Sequence, residues 1–331
     1  MKIPISLLAA TGTVGQKAIS LINNHPVFEL AEISASPRNK GKAFCQAASW
    51  RDQVAMPDFV RNMELKAPEE LSSPFAISAL PAEQAKELEP HLAEKGIHIF
   101  SNAGAMRMRD DVPLMIPEVN GHSLGLVAKQ KTRGKIITNP NCATVFFALA
   151  LGPVFALSKP EQVNLVTLQG ISGAGYPGIA AMDILGNVVP FIKSEEMKIE
   201  WETKKILSEY APFDSYGITV NVNRVAVAHG HTLAIHIHFQ DRVSPADIAE
   251  VYQEWNKKYP DLFILYSQED RPQPARDIHS LDQRVHIGRI RQGGSAKIIS
   301  LVCMGHNLVR GAAGAALLNL EYSYKSLQEN S

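Results

Sequence analysis

Apolar residues in the first part of the chain fall into short compact runs, each followed by a stretch with helical spacing. Residues 2–8 form the first run. The turn Ala9-Ala10-Thr11-Gly12-Thr13-Val14-Gly15 interrupts it, residues 16–23 carry helical spacing, and a second run follows at 28–35. Strand, glycine turn, helix and strand in this order make a βαβ unit, which implies parallel strands with helices on both faces. The alternation continues with strands over 75–80 and 98–101 flanking a helix over 82–95, and a further strand over 135–138.

That strand runs into Asn139-Pro140-Asn141-Cys142-Ala143-Thr144 and then an apolar segment of helical composition, Val145 to Leu151, which is expected to break at Gly152-Pro153. Cys142 is therefore predicted at a strand-to-helix junction, in the first turn of a helix. Unpaired backbone N–H groups and the positive dipole end at that position favour a thiolate, the nucleophilic form of cysteine. A small buried, inert thiol is the other reading of a lone cysteine.

Beyond Gly152-Pro153 the pattern shifts towards period two. Residues 162–169 read as a strand and 170–178 as a glycine-rich loop. Residues 195–207 read as a helix, and 218–228, 231–239, 285–291 and 297–303 as strands of a mixed or antiparallel sheet. A last helix is expected over 308–327. The fold class is α/β: a Rossmann-type dinucleotide-binding domain plus an α+β catalytic domain with a mixed sheet. The expected domains are 1–140 with 308–331, and 141–307.

Composition narrows the function. The chain has 331 residues, 45% hydrophobic and 20% charged, with 33 basic and 33 acidic residues in balance. Zero net charge argues against a general nucleic-acid or membrane surface. Three cysteines without a CxxC imply neither a disulfide framework nor a zinc site, and a reducing cytoplasmic setting fits them. The N-terminal apolar run leads straight into a glycine turn, so it reads as a strand rather than a signal peptide. No stretch approaches the ~20 apolar residues of a membrane span.

Several stretches carry candidate chemistry, each with a plainer alternative. The first turn has the spacing Ala9-x-x-Gly12-x-x-Gly15, with alanine where a first glycine is usual. It suits a pyrophosphate on a helix N-terminus, or a tight βα turn with no ligand. After the second strand, where an acid would read a free ribose 2′-hydroxyl, stand Ser36-Pro37-Arg38-Asn39-Lys40. These suit a 2′-phosphate, or form a solvated basic loop. Gln169 ends a strand before the glycine-rich loop, as an amide that orients a substrate carbonyl or as a turn residue. Arg224 can grip a carboxylate, and His231 can act as acid and base or as a structural histidine. Glu195 and Lys198 lie three apart at a helix start and share a face, as a surface pair or a substrate contact. The histidines at 229, 231, 236 and 238 lack a cysteine or carboxylate at ligand spacing, so no metal site is expected.

In order along the chain, residues 10–15, 78–81, 101–108, 111–120, 139–144, 169–178, 195–207, 223–232 and 306–314 resemble aspartate-semialdehyde dehydrogenases, in particular their archaeal and fungal-type branch. The resemblance implies NADPH-dependent reductive dephosphorylation of L-aspartyl 4-phosphate to aspartate 4-semialdehyde, a step towards lysine, threonine and methionine. It assigns Cys142 as nucleophile, His231 as acid/base and Gln169 as orienting amide. Arg224 grips the substrate α-carboxylate and Glu195 its amino group. Arg107 and Lys198 hold the phosphate, and Asn141 shapes the acyl site. Thr11, Gly12, Thr13, Val14, Ser36, Arg38, Ser78, Ala79, Ser172, Gly173 and Asn307 look like NADP contacts. It also implies a homodimer or homotetramer built on the second domain's sheet. A malonyl-CoA reductase is similar, but its substrate lacks an amino group for Glu195. An N-acetyl-glutamyl-phosphate reductase and a non-catalytic NADP-binding scaffold are the remaining alternatives.

Overall fold

In the computed structural model, which describes residues 2–329, the first apolar run becomes strand β1 (Ile3–Leu8). Ile5, Leu7 and Leu8 are fully buried, so β1 is an interior strand. It pairs in parallel with β2 (Phe28–Ser34) on one side and β4 (Phe75–Ser78) on the other. With β3 (Leu65–Lys66), β5 (His98–Ser101) and β6 (Ile136–Thr138), the order is β3-β2-β1-β4-β5-β6, all parallel. The strand order reverses beside β1, which opens a crevice at the carboxyl ends of β1 and β4. This sheet, with residues 312–329, lies in one compact unit; the other comprises 118–120 and 141–311.

The turn after β1 is held by sterics. Ala9, standing in place of a first glycine, has φ +57° and so occupies the left-handed region. A Cβ there costs roughly 1 kcal/mol relative to glycine. Gly15 permits the close approach of the helix Thr13–Ile22, because a Cβ on it would lie 2.5 Å from Ala9 O and 2.8 Å from Ala10 C.

The second unit carries a seven-stranded mixed sheet, β11-β12-β13-β10-β7-β9-β8. Its strands are β7 (Pro160–Gln169), β8 (Val188–Val189), β9 (Gly217–Val225), β10 (His231–Phe239), β11 (Phe263–Leu265), β12 (Val285–Gln292) and β13 (Ile298–Gly305). The pairs β7–β9 and β11–β12 are parallel and the others antiparallel. Val163, Leu165, Leu233, Ile235, Ile237 and Leu301 point into the core. On β7 the alternate residues Val166 and Leu168 remain exposed, which leaves an apolar strip on the opposite face.

Three helices cover the core side: Cys142–Phe155, Glu195–Ile206 and Pro245–Lys258. The first does not break at Gly152-Pro153 as expected but runs on to Phe155. Every residue from Ala143 to Phe155 is buried, so packing outweighs the one backbone bond that Pro153 removes in the last turn. Gly152 admits Trp255 and Val119, 3.4 and 3.5 Å from where its Cβ would be. The helix Pro245–Lys258 lies in a stretch without an expectation from the sequence. It is capped by reciprocal bonds between Ser244 and Asp247, at 3.2 and 2.8 Å. The final helix begins at Gly314 rather than 308, because Val309–Ala313 forms a wider π turn.

Gly15→Ala is expected to lower unfolding stability by about 1–3 kcal/mol, the usual cost of an overpacked contact. Gly12→Ala, whose Cβ would meet only Ala9 O at 3.5 Å, serves as the control. Denaturant melts that rank the two variants in the opposite order would contradict this packing.

Candidate active site

The second sheet places three chemical side chains in one row. Gln169 on β7 lies opposite His231 on antiparallel β10 and opposite Arg224 on parallel β9. All three are buried and share the face that the helices cover. Cys142 is the first residue of its helix, and its Sγ lies 3.1 Å from His231 Nε2.

Asn141 fixes the start of that helix. Its Oδ1 accepts the N–H groups of Ala143 (2.9 Å) and Thr144 (3.3 Å), a standard N-cap. Its Nδ2 donates to Glu195 Oε1 at 2.8 Å, and its backbone N–H donates to Glu202 Oε2 at 2.6 Å. Gln169 Nε2 donates to the same Glu195 oxygen at 3.3 Å. Glu195, buried in the first turn of its helix, thus gathers two amides beside the thiol. Lys198, one turn further, is exposed, and among the described residues the two form no ion pair. Of the two readings of this pair, a surface pair does not hold for Glu195, which is buried, while Lys198 is exposed.

The loop after Gln169 closes the row. Arg224 donates from NH1 to Gly170 O at 2.7 Å. The Gly170 N–H is shared between Gly230 O (3.0 Å) and His231 Nδ1 (3.2 Å). A donor at Nδ1 favours the tautomer with its proton on Nε2, facing sulfur. Gly173 lies over the pair: a Cβ there would be 2.8 Å from Arg224 NH1 and 3.1 Å from His231 Cε1. Asn307 ties Gly230 N–H (2.8 Å) to Ser172, whose Oγ accepts from Asn307 Nδ2 at 3.0 Å. Gly311 brings its backbone against the nucleophile, with a Cβ position 3.0 Å from Cys142 Cβ.

Electrostatics follow from this enclosure. Burial, helped by the Arg224 charge, pushes His231 down to about 3, so its imidazole is neutral across the physiological range. Burial also draws Arg224 below its ordinary value, opposed by Cys142 and Glu195. The helix N-terminus and the Arg224 charge favour Cys142 as thiolate, with the His231 Nε2–H as its donor.

The remaining residues singled out in the sequence lie in the first unit, in loops at the carboxyl ends of its strands. Thr11, Gly12, Thr13 and Val14 follow β1, Ser36 and Arg38 follow β2, Ser78 and Ala79 close β4, and Arg107 follows β5. Arg107 is buried and donates from NH2 to Asn102 O at 2.7 Å. The helix Thr13–Ile22 starts at exposed Gly12, with no side-chain cap and no acid in its first turn. Glu32, the acid near the end of β2, is turned inward. Burial would raise its carboxyl, but Lys66 and the Ser72 and Ser73 N–H groups hold it well below the usual range. Arg38 is exposed and among the described residues forms no ion pair, whereas Lys40 of the same loop pairs with Glu70; Arg38 fits a nucleotide phosphate.

Sequence reasoning did not single out Glu202, Gly230 or Gly311. The spacing of Glu202, two helical turns after Glu195 on one face, was the available signal.

A dinucleotide-binding fold joined to a cysteine–histidine pair defines a class, the aldehyde dehydrogenases that work through a covalent thiol intermediate. Residues 4–126 match the family model "Semialdehyde dehydrogenase, NAD binding domain", and 151–310 match "Semialdehyde dehydrogenase, dimerisation domain". The chain is 40% identical to the aspartate-semialdehyde dehydrogenase of Methanothermobacter thermautotrophicus, over 96% of this chain and 97% of that one. It is 39% identical to that of Schizosaccharomyces pombe, over 97% and 98%. A crystal structure of the Candida albicans aspartate-semialdehyde dehydrogenase with NADP superposes with a TM-score of 0.85 at 32% identity, covering 97% of this chain and 98% of that one. The chain belongs to the aspartate-semialdehyde dehydrogenase family.

Gly173→Val is expected to reduce turnover about 10- to 100-fold by displacing Arg224 and His231, with the melting temperature little changed because position 173 is exposed. Steady-state kinetics with thermal melts check both halves. For His231, stability is full above about pH 6.5 and is lost as pH falls towards about 3, since the unfolded chain binds a proton that the folded chain refuses. His231→Gln should flatten this acid dependence by up to about 1.4 kcal/mol per pH unit, read from denaturant melts across that window.

Proposed function

We propose that this chain catalyses NADPH-dependent reductive dephosphorylation of L-aspartyl 4-phosphate to L-aspartate 4-semialdehyde through a thioester on Cys142. The contact that carries the proposal is the 3.1 Å approach of His231 Nε2 to Cys142 Sγ. The buried charges of Arg224 and Glu195 beside it suit the two ends of an amino acid.

The thiolate of Cys142 attacks the acyl carbon, and the carbon–oxygen bond to phosphate breaks. Arg107 and Lys198 are assigned to the phosphate, Arg224 to the α-carboxylate and Glu195 to the α-amino group. Gln169 orients the acyl oxygen. Hydride addition at the thioester carbon leaves a thiohemiacetal oxyanion; as it collapses to the aldehyde its C–S bond breaks, and the neutral imidazole of His231 stabilises the departing thiolate through Nε2–H. Neutral histidine is the weaker acid, so it donates a hydrogen bond without protonating the sulfur permanently. NADPH supplies the hydride when bound. Gly12 and Thr13 at the open helix start would hold its pyrophosphate, with Ser36 and Arg38 at the 2′-phosphate. Ser78, Ala79, Ser172, Gly173 and Asn307 are assigned to the rest of the cofactor.

The chain is assigned to a homodimer formed by the second domain, with a homotetramer as the larger assembly. The apolar strip of Val166 and Leu168 supports self-association through that sheet. No helix among the described residues is long and apolar enough to cross a membrane. The enzyme is placed in the cytoplasm on its chemistry and free thiols. The domain limits proposed are 1–140 with 308–331 for cofactor, and 141–307 for catalysis.

The assay follows cofactor absorbance with aspartate semialdehyde, phosphate and NADP, and separately with malonyl-CoA and NADPH. Turnover is expected in the first and not the second; the reverse would move the chain to acyl-CoA reduction. NADP binding with turnover in neither would make it a scaffold. Cys142→Ser should cut turnover by about 1,000-fold or more while NADP still binds, as loss of a covalent nucleophile requires.

A further inference from the structure

Behind the loop that carries Arg107 lies a carboxyl the mechanism has not used. Glu89, on the helix Ala82–Glu94, is fully buried. Its Oε1 accepts the Ser101 hydroxyl at 2.6 Å, and its Oε2 has no hydrogen bond of good geometry. Ser101 is the last residue of β5, and its Oγ also accepts the Ala103 N–H at 3.1 Å, at the start of the Arg107 loop. Ser78, its register partner at the end of β4, approaches the same carboxyl. Ser78 O takes both the backbone N–H and the side-chain amide of Asn102, at 3.0 and 2.9 Å. Asn102 O in turn receives Arg107 NH2 at 2.7 Å. One buried carboxyl thus sits under two adjacent strand ends whose loops bear Ser78-Ala79 and Arg107.

We propose that Glu89 is a positioning residue and buried counter-charge for Arg107, setting how strongly that cation holds the substrate phosphate. The inference rests on the reading of Arg107 as a phosphate ligand. A lone buried carboxylate is costly unless something is gained from its charge, and a helix packed on a sheet would otherwise carry an apolar residue there. Leu8, Ala85, Leu92, Ala103 and Met106 in the same core are all apolar. Glu89 meets the Arg107 loop through Ser101 and Ala103, and after the Ser101 and Ser78 hydroxyls the Arg107 charge is the further influence that lowers its carboxyl. His98 lies at the far end of β5, and β6 brings no titratable group. Burial pushes the Glu89 carboxyl up to about 6, against Ser101, Ser78 and Arg107. The Glu89 charge is therefore present at neutral pH and is lost as pH falls below about 6.

The test is the KM for inorganic phosphate in the aspartate-semialdehyde-oxidising direction. Glu89→Gln keeps the Ser101 acceptor and removes the charge. It should lower the phosphate KM about three- to tenfold at pH ~8, the scale of one screened buried charge, and match the wild type at pH ~5. Its KM for aspartate semialdehyde should stay within about twofold. Ser101→Ala, which removes a bond that favours the carboxylate, should move the pH at which phosphate KM changes upward, and serves if Glu89→Gln fails to fold. Arg107→Leu tests the underlying reading by itself: an unchanged phosphate KM there would remove Arg107 from the phosphate site. A raised KM in Arg107→Leu, with Glu89→Gln shifting nothing or shifting equally at both pH values, would overturn the counter-charge role alone.

Discussion

The candidate chemistry depends on three adjacent strands keeping one register. Gln169, His231 and Arg224 stand side by side only because β7 pairs with β10 and β9 at those residues. Neighbouring strands are about 4.8 Å apart, so the three side chains stand in one row, from which His231 reaches the Cys142 sulfur. A slip of one residue would turn Gln169 to the face of Val166 and Leu168 and remove it from the site. The glycines around the row serve the same end. Gly170, whose Cβ would lie 2.7 Å from Gly230 O, lets the loop return close enough for one N–H to reach both Gly230 and His231.

The second constraint is a carboxylate pair on one helix. Glu195 and Glu202, seven residues apart, grip the side chain and the backbone of Asn141. Asn141 in turn caps the helix that begins at Cys142. The nucleophile is thereby held from its own helix and from a neighbouring one, and its bearing towards His231 is not left to a flexible loop. Glu195 is also the residue proposed to bind the substrate amino group. Buried carboxylates with satisfied amide donors are stable enough for this because each hydrogen bond replaces water lost on burial.

Much of the first domain was readable because local rules decide it. Compact apolar runs, a glycine turn and helical spacing give the parallel sheet, and the absence of an acid after the second strand marks the nucleotide side. The left-handed φ of Ala9 was not readable, since alanine gives no sign of it; the crowding at Gly15 is what forces the turn. The helix Cys142–Phe155 was read as ending at Gly152-Pro153. Those residues are breakers in isolation, and burial on all sides overrides them. Spacing alone left Glu195 and Lys198 either a surface pair or a substrate contact, because charge spacing along a helix says nothing about which side faces a core.

The sequence by itself determined most of the elements, the order of the motifs and the family they resemble, since periodicity and glycine spacing are properties of short stretches. It determined that Cys142 opens a helix, because an extended run ends just before it and an apolar run of helical composition follows. Tertiary structure alone decided which distant residues meet. Cys142 and His231 are 89 positions apart, and only the pairing of strands and the packing of a helix across them brings sulfur and ring nitrogen to 3.1 Å. It alone decided that His231 is neutral, because desolvation and the Arg224 charge belong to the assembled site and to no segment of the chain.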